Sequence, residues 1–203
     1  MQQPNLSQLA PQISPQYLAM YGAIESEPYP VPAADLTEVN PAFLRREVAY
    51  NTREHAGTIV VDPNERYAYL VLPQGRAIRY GVGVGQEEGF NFRGEAIIAR
   101  KAAWPRWTPT PNMIRREPER YGPYANGLAG GPSNPLGARA LYLYRDGRDT
   151  LYRLHGTNEP ATIGTMVSSG CIRFLNHDII DLYRRAPVST KVVVRPASGI
   201  ATS

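Results

Sequence analysis

Cys171 is the only cysteine of the chain, and His155 stands sixteen residues before it in "RLHGTNEPATIGTMVSSGCIRF" (153–174). A free thiol has a pKa of about 8.5 and is only a few per cent thiolate at neutral pH, so a working cysteine needs a base or a cation beside it. His155 ends the strand-like run "TLYRLHG", where Gly156 breaks the pattern and frees the imidazole to face a cleft. Gly170 directly precedes the thiol and permits a tight turn. The N–H groups of Gly170 and Cys171 can then point the same way and hold the oxyanion of an acyl-transfer intermediate. Arg173, two residues on, favours the thiolate or grips a substrate carboxylate. Without this company a lone thiol reads as a small buried hydrophobe.

The other histidines are weaker candidates for the base. His55 sits in the polar turn "TREHAG", and His177 falls at the start of a helix, where a solvated side chain is expected. No His, Cys or carboxylate shows a ligand spacing around His155, so neither a metal nor a cofactor is assigned.

The elements that must position these residues are bounded by composition. A chain of 203 residues with 42% hydrophobic content supports one ordinary core plus an extension. Lysine and arginine outnumber aspartate and glutamate by 22 to 18, and the basic residues are scattered along the chain. That pattern argues against a dedicated nucleic-acid surface and suits a small anionic substrate. One cysteine excludes an internal disulfide. No run approaches the roughly 18 apolar residues of a membrane span. "MQQPNLSQLAPQIS" lacks the charged and apolar regions of a signal peptide, so the chain is expected to be either cytoplasmic or processed after export.

Residues 1–41 carry seven prolines among small and polar residues and read as an extended arm without a core. Short runs rich in Val, Ile and Tyr follow: "GTIVVDP", "RYAYLVLPQGRAIRYGVGVG", "GEAIIARKA", "RALYLYR", "TLYRLHG" and "TKVVVRP". Tyr67, Tyr69 and Val71 alternate with Ala68, Leu70 and Leu72, as in a strand covered on both faces. Pro63-Asn64, Pro73-Gln74-Gly75 and Asp146-Gly147 are hairpin turns between such runs, which predicts a mostly antiparallel β domain. One helix is signalled over "HDIIDLYRR", with Asn176 as its cap and Ile179, Leu182 and Tyr183 as its buried stripe. The segment 104–137 holds seven prolines, five glycines and both tryptophans. A structureless insertion of that length reads as a lid or binding loop, with its aromatics and arginines lining a cleft, or with Trp104 and Trp107 packing as a local mini-core.

The stretch "HGTNEPATIGTMVSSGCIRFLNHDIIDLY" resembles the signature of the YkuD-type L,D-transpeptidase catalytic domain: H-G-T, a spacer with I-G, S-x-G-C-I-R, then N, D and L-Y. The resemblance extends more loosely over residues 45–195. It implies a mostly β fold, a β-sandwich with short helices and a long Pro/Gly-rich lid loop. The catalytic domain would occupy 42–197, between the arm and a tail at 198–203. By position, Cys171 matches the nucleophile, His155 the base, Gly156 the carbonyl that orients it, and Gly170 with Cys171 the oxyanion donors. Arg173, Ser168, Ser169, Asn158, Trp104 and Trp107 are the substrate-binding candidates. Ser169 stands where many members carry a second histidine.

The implied substrates are peptidoglycan tetrapeptide stems, with a second stem, an envelope protein or water as acyl acceptor. The implied setting is the periplasm, for a monomer that binds no nucleic acid. Two other classes compete. A papain-like peptidase would place its cysteine on a helix and orient its histidine with an Asn or Asp. A non-catalytic wall-binding module would need only the cleft.

Overall fold

In the computed structural model, which describes residues 13–85, 92–168 and 171–197, ten strands and four helices are present. In chain order they are α1 (Pro15–Met20), β1 (Arg46–Ala49), β2 (Ile59–Asp62), β3 (Tyr67–Leu72), β4 (Arg76–Gly85) and β5 (Gly94–Ala103). Then come α2 (Pro111–Arg116), α3 (Pro118–Tyr121), β6 (Arg139–Arg145), β7 (Arg148–His155), β8 (Met166–Ser168), β9 (Ile172–Phe174), α4 (Asn176–Arg185) and β10 (Lys191–Val194).

The strands form one sheet rather than the two stacked layers of a sandwich. Its path runs β1-β4-β3-β2-β10-β5-β6-β7-β9, and β9 pairs back onto β4 through Val82↔Phe174 and Gly83↔Arg173. The circuit from β4 to β9 is therefore closed, a barrel-like sheet. Long β4 makes closure possible: its first four residues pair with β1, and its last four turn to β9 and β8.

Period-two alternation explains what fills the sheet. Ile59 and Val61, Ala68 and Leu70, Ile78, Tyr80 and Val82, Leu141 and Leu143, and Val192 and Val194 point inward into one buried cluster. Ile179 and Leu182 of α4 complete it, and Tyr183 packs against its edge, the predicted stripe. The opposite face of β3, with Tyr69 and Val71, is covered by Val48 and Tyr50 in a second cluster. Two of the predicted turns carry left-handed residues: Gln74 and Gly75 (φ 63° and 67°) between β3 and β4, and Asp146 and Gly147 (φ 51° and 74°) between β6 and β7.

The arm departs from the expectation of a coreless extension. Tyr21, Leu36 and Val39 are buried together with Leu44, Ile163 and Leu175, so residues 13–41 dock on the sheet. Sparse apolar residues suffice because the anchor is polar. The Tyr21 hydroxyl donates to the Asp178 carboxylate, and the same oxygen accepts the Arg45 N–H at 2.7 Å. Arg45 also bridges Asp178 and Asp181 at 3.5 and 3.1 Å. His177, expected in solvent, is buried beneath the arm, where its Nε2–H donates to the Gly22 carbonyl at 2.8 Å.

Candidate active site

β7 and β9 run parallel, with Leu154 opposite Ile172 and His155 opposite Arg173. Side chains alternate along each strand, so Leu154 and Ile172 enter the core while Arg153, His155, Cys171 and Arg173 share the outer face. Neighbouring strands lie about 4.8 Å apart, and Cys171 immediately precedes β9, so the imidazole and the thiol open onto the same cleft. All four outer residues line a cleft of about 770 Å³.

His155 is buried, and its Nδ1 lies 2.5 Å from the Gly156 carbonyl. A carbonyl oxygen only accepts, so Nδ1 carries the hydrogen and Nε2 keeps the lone pair that a base needs. Burial pushes the imidazole down to about 4, the Arg173 and Arg153 charges act in the same direction, and the Gly156 carbonyl opposes them. The ring is thus neutral at neutral pH.

Cys171 is half-buried, and its Sγ lies 4.0 Å from the Leu151 carbonyl. Burial pushes the thiol up, against a backbone hydrogen bond from Arg153 and the charges of Arg153 and Arg173. The resting site therefore holds a neutral thiol and a neutral imidazole.

Gly156 is required by close packing. A Cβ there would collide with Asn176 Oδ1, which accepts the Ala138 N–H at 2.9 Å. Gly156 N–H in turn donates to the Arg139 carbonyl at 3.0 Å. Asn176 therefore does not cap α4. The helix starts after Leu175 with no side-chain cap, because the Asn176 amide is spent on holding the backbone beside His155.

The substrate-binding candidates divide. Trp107 and Asn158 line the cleft, and the Asn158 Nδ2 donates to the Ser133 carbonyl at 3.2 Å, tying the spacer to the long loop. Arg173 also lines it and is paired with Glu159 at 3.0 Å. Trp104, by contrast, is absent from the lining. Its Nε1–H donates to Glu27 of the arm at 2.9 Å and its ring packs edge-on to Tyr29, because the arm fills the side of the loop that the sequence left open. Ser168 ends β8 opposite Gly85, while Ser169 and Gly170 lie outside the described residues.

The segment 104–137 is not structureless. Thr110 caps α2 by accepting the Met113 N–H, α3 follows, and Trp107 packs between Tyr121 and Tyr124. Buried Asn134 pins the base of the loop through the carbonyls of Pro105 and Ala129 and the Leu136 N–H. Trp107 thus both forms a local core and lines the cleft.

The arginines of the 104–137 segment, expected with its aromatics at a cleft, are there: Arg106, Arg116 and Arg120 line it. Sequence reasoning missed Arg100 and Arg153, of which Arg153 left a signal, two residues before His155 on the same strand face.

The family model of the YkuD L,D-transpeptidase catalytic domain matches residues 56–194, a span that contains β2 through β10 and every residue of the thiol–imidazole neighbourhood. The chain belongs to this family. It is 37% identical over 138 residues to the "Probable L,D-transpeptidase ErfK/SrfK" of Escherichia coli, covering 67% of this chain and 43% of that protein. The chain thus spans less than half the length of that relative. A crystal structure from Brucella melitensis, described as a "Probable carnitine operon oxidoreductase", is 47% identical with a TM-score of 0.54, covering 79% of this chain and 98% of that one. The L,D-transpeptidase of Mycobacterium smegmatis shares the fold at 16% identity and a TM-score of 0.51, over 68% of this chain and 58% of its own. No helix among the described residues is long and apolar enough to cross a membrane.

Proposed function

We propose that the chain is a peptidoglycan L,D-transpeptidase working through a thioester on Cys171. The observation that carries this reading is the placement of Cys171 and His155 on one face of the parallel β7–β9 pair, with Nδ1 held by Gly156 and Nε2 left as the base. Nε2 takes the thiol proton as sulfur attacks the carbonyl joining the L-centre of diaminopimelate to the terminal D-alanine of a tetrapeptide stem. The oxyanion is held by the Gly170 and Cys171 N–H groups, a role carried by the motif. The C–N bond breaks, and His155 returns the proton to the departing D-alanine amine. An acceptor amine then attacks the thioester and gives its proton to His155, which frees the thiol and leaves a 3→3 cross-link.

A second stem is the acceptor in this scheme, and an envelope protein's amine fits the same chemistry. The loop 104–137 acts as a lid that keeps water from the thioester, and the site of action is the periplasm, where the stems are. If water is admitted instead, the same residues make the chain a carboxypeptidase.

Incubation with a carbapenem and with a tetrapeptide muropeptide, followed by intact mass and product analysis, tests the reading. The expected result is an adduct on Cys171 and released D-alanine, both lost in Cys171→Ala. A protein that gives no adduct and no D-alanine is a binding module.

A further inference from the structure

Six arginines, Arg100, Arg106, Arg116, Arg120, Arg153 and Arg173, line the cleft against one carboxylate, Glu159. They come from β5, the loop 104–137, β7 and β9, so distant parts of the chain converge on one surface. Four of the six already have partners. Both Nη atoms of Arg153 lie 3.1 Å from Asp149, and Arg173 is 3.0 Å from Glu159. Arg106 donates to the Asn126 carbonyl, and Arg120 meets Glu117 at 3.3 Å in an exposed pair, which water screens.

Arg100 and Arg116 differ. Among the described residues neither makes a hydrogen bond or ion pair to a protein acceptor. The Arg100 guanidinium stacks on the Tyr142 ring, 3.5 Å from its centroid, and Arg153 lies over the same ring at 4.7 Å. Stacking fixes the plane of the Arg100 fork and leaves its N–H edges available, so little rotamer freedom is lost when an acceptor docks. Arg116 ends α2, in the wall formed by the loop.

We propose that this cleft selects acyl donors with a free carboxylate away from the scissile bond and rejects the same peptide carrying a carboxamide there, through Arg100 and Arg116. Guanidinium groups only donate hydrogen bonds, and a carboxylate only accepts them. A carboxamide turns an N–H toward those donors and loses the charge as well, so a site built on donor forks discriminates against it. The inference rests on the transpeptidase reading. In that reading the diaminopimelate residue keeps a second carboxylate on its far centre after the first has become the scissile carbonyl.

The test uses two tetrapeptide donors that differ only in that far carboxylate, free or amidated. For the wild type, kcat/KM for D-alanine release is expected to be at least about tenfold higher with the free donor, the difference residing in KM. In Arg100→Gln with Arg116→Gln the preference shrinks to about twofold, whereas Arg46→Gln with Arg148→Gln, which removes the same two charges outside the cleft, retains it. Calorimetric binding of both peptides to the Cys171→Ala protein gives a readout independent of turnover, with the same preference expected.

Equal kcat/KM and equal affinity for the two donors overturn the inference and leave the transpeptidase reading standing. If neither peptide releases D-alanine but the Cys171→Ala protein still prefers the free carboxylate, the transpeptidase reading falls and the selectivity of the cleft stands. Failure of the Cys171→Ala protein to bind either peptide overturns the inference as well.

Discussion

β7 and β9 have two faces, and the same parallel register serves both. Inward, Leu154 and Ile172 are dry and fully packed; outward, Arg153, His155, Cys171 and Arg173 meet a cleft of about 770 Å³. One side of the pair is held by apolar burial, which is non-directional and additive by area. The other holds groups whose ionisation and orientation depend on single contacts, the Gly156 carbonyl above all. A pair of strands packed on its inner face holds the outer one, where His155 and the residue just before β9, Cys171, open onto the same cleft.

Substitutions that strike one face at a time sharpen that contrast. Cys171→Ala removes the proposed nucleophile, so acylation measured by mass should fall by on the order of a thousandfold or more with the melting temperature nearly unchanged. A large drop in stability would show that the outer face carries the fold too. Gly156→Ala drives a Cβ into Asn176 and shifts the carbonyl that orients His155. A displacement of that kind costs on the order of a hundredfold in acylation rate, read under conditions where the variant is folded. On the inner face, Leu154→Ala should cost about 2–5 kcal/mol in urea unfolding. Unimpaired turnover per folded molecule would then separate the two faces cleanly.

Acid provides a fourth test. The His155 imidazole titrates at about 4 when folded and near 6.5 when unfolded, so the unfolded state takes up the proton first as pH falls. Its contribution to stability is intact above pH 6.5 and declines as pH drops toward 4, on the order of 3 kcal/mol in all. Asp178, pushed up to about 7 chiefly by burial, works in the opposite sense, losing stability as pH rises from 3.8 to 7. The measurement is therefore the difference between wild type and His155→Gln across pH 4–7. A difference that does not change with pH would contradict the dry setting of the ring. The arm sets the smallest effect: Tyr21→Phe removes a hydroxyl shared by Asp178 and Arg45 and should cost about 1–3 kcal/mol without altering kcat.

Much of this was legible in order along the chain. The pairing of Cys171 with His155, the Gly156 that follows the histidine, the hairpin turns at Gln74-Gly75 and Asp146-Gly147, and the Ile179–Leu182 stripe all rest on spacings of a few residues. Such signals are local, because strand and helix periods are properties of the backbone itself. Asn176 shows the limit of local reasoning. It has the chemistry of a cap and the position of one, yet its amide serves Ala138, thirty-eight residues away in sequence. His177 and the arm failed for the same reason. A solvated helix start and an arm without a core were sound local readings, overridden when each became the other's buried partner.

The sequence by itself determined the candidate thiol–imidazole pair, the β periodicity and the family signature, since each is written within a strand, a turn or a thirty-residue motif. Only the tertiary structure decided that the sheet closes on β4, that the arm is part of the packing, and that arginines scattered from 100 to 173 share one cleft. Closure and convergence depend on which strands pair across large sequence separations, and that pairing is chosen by burial of the whole core rather than by any short stretch of chain.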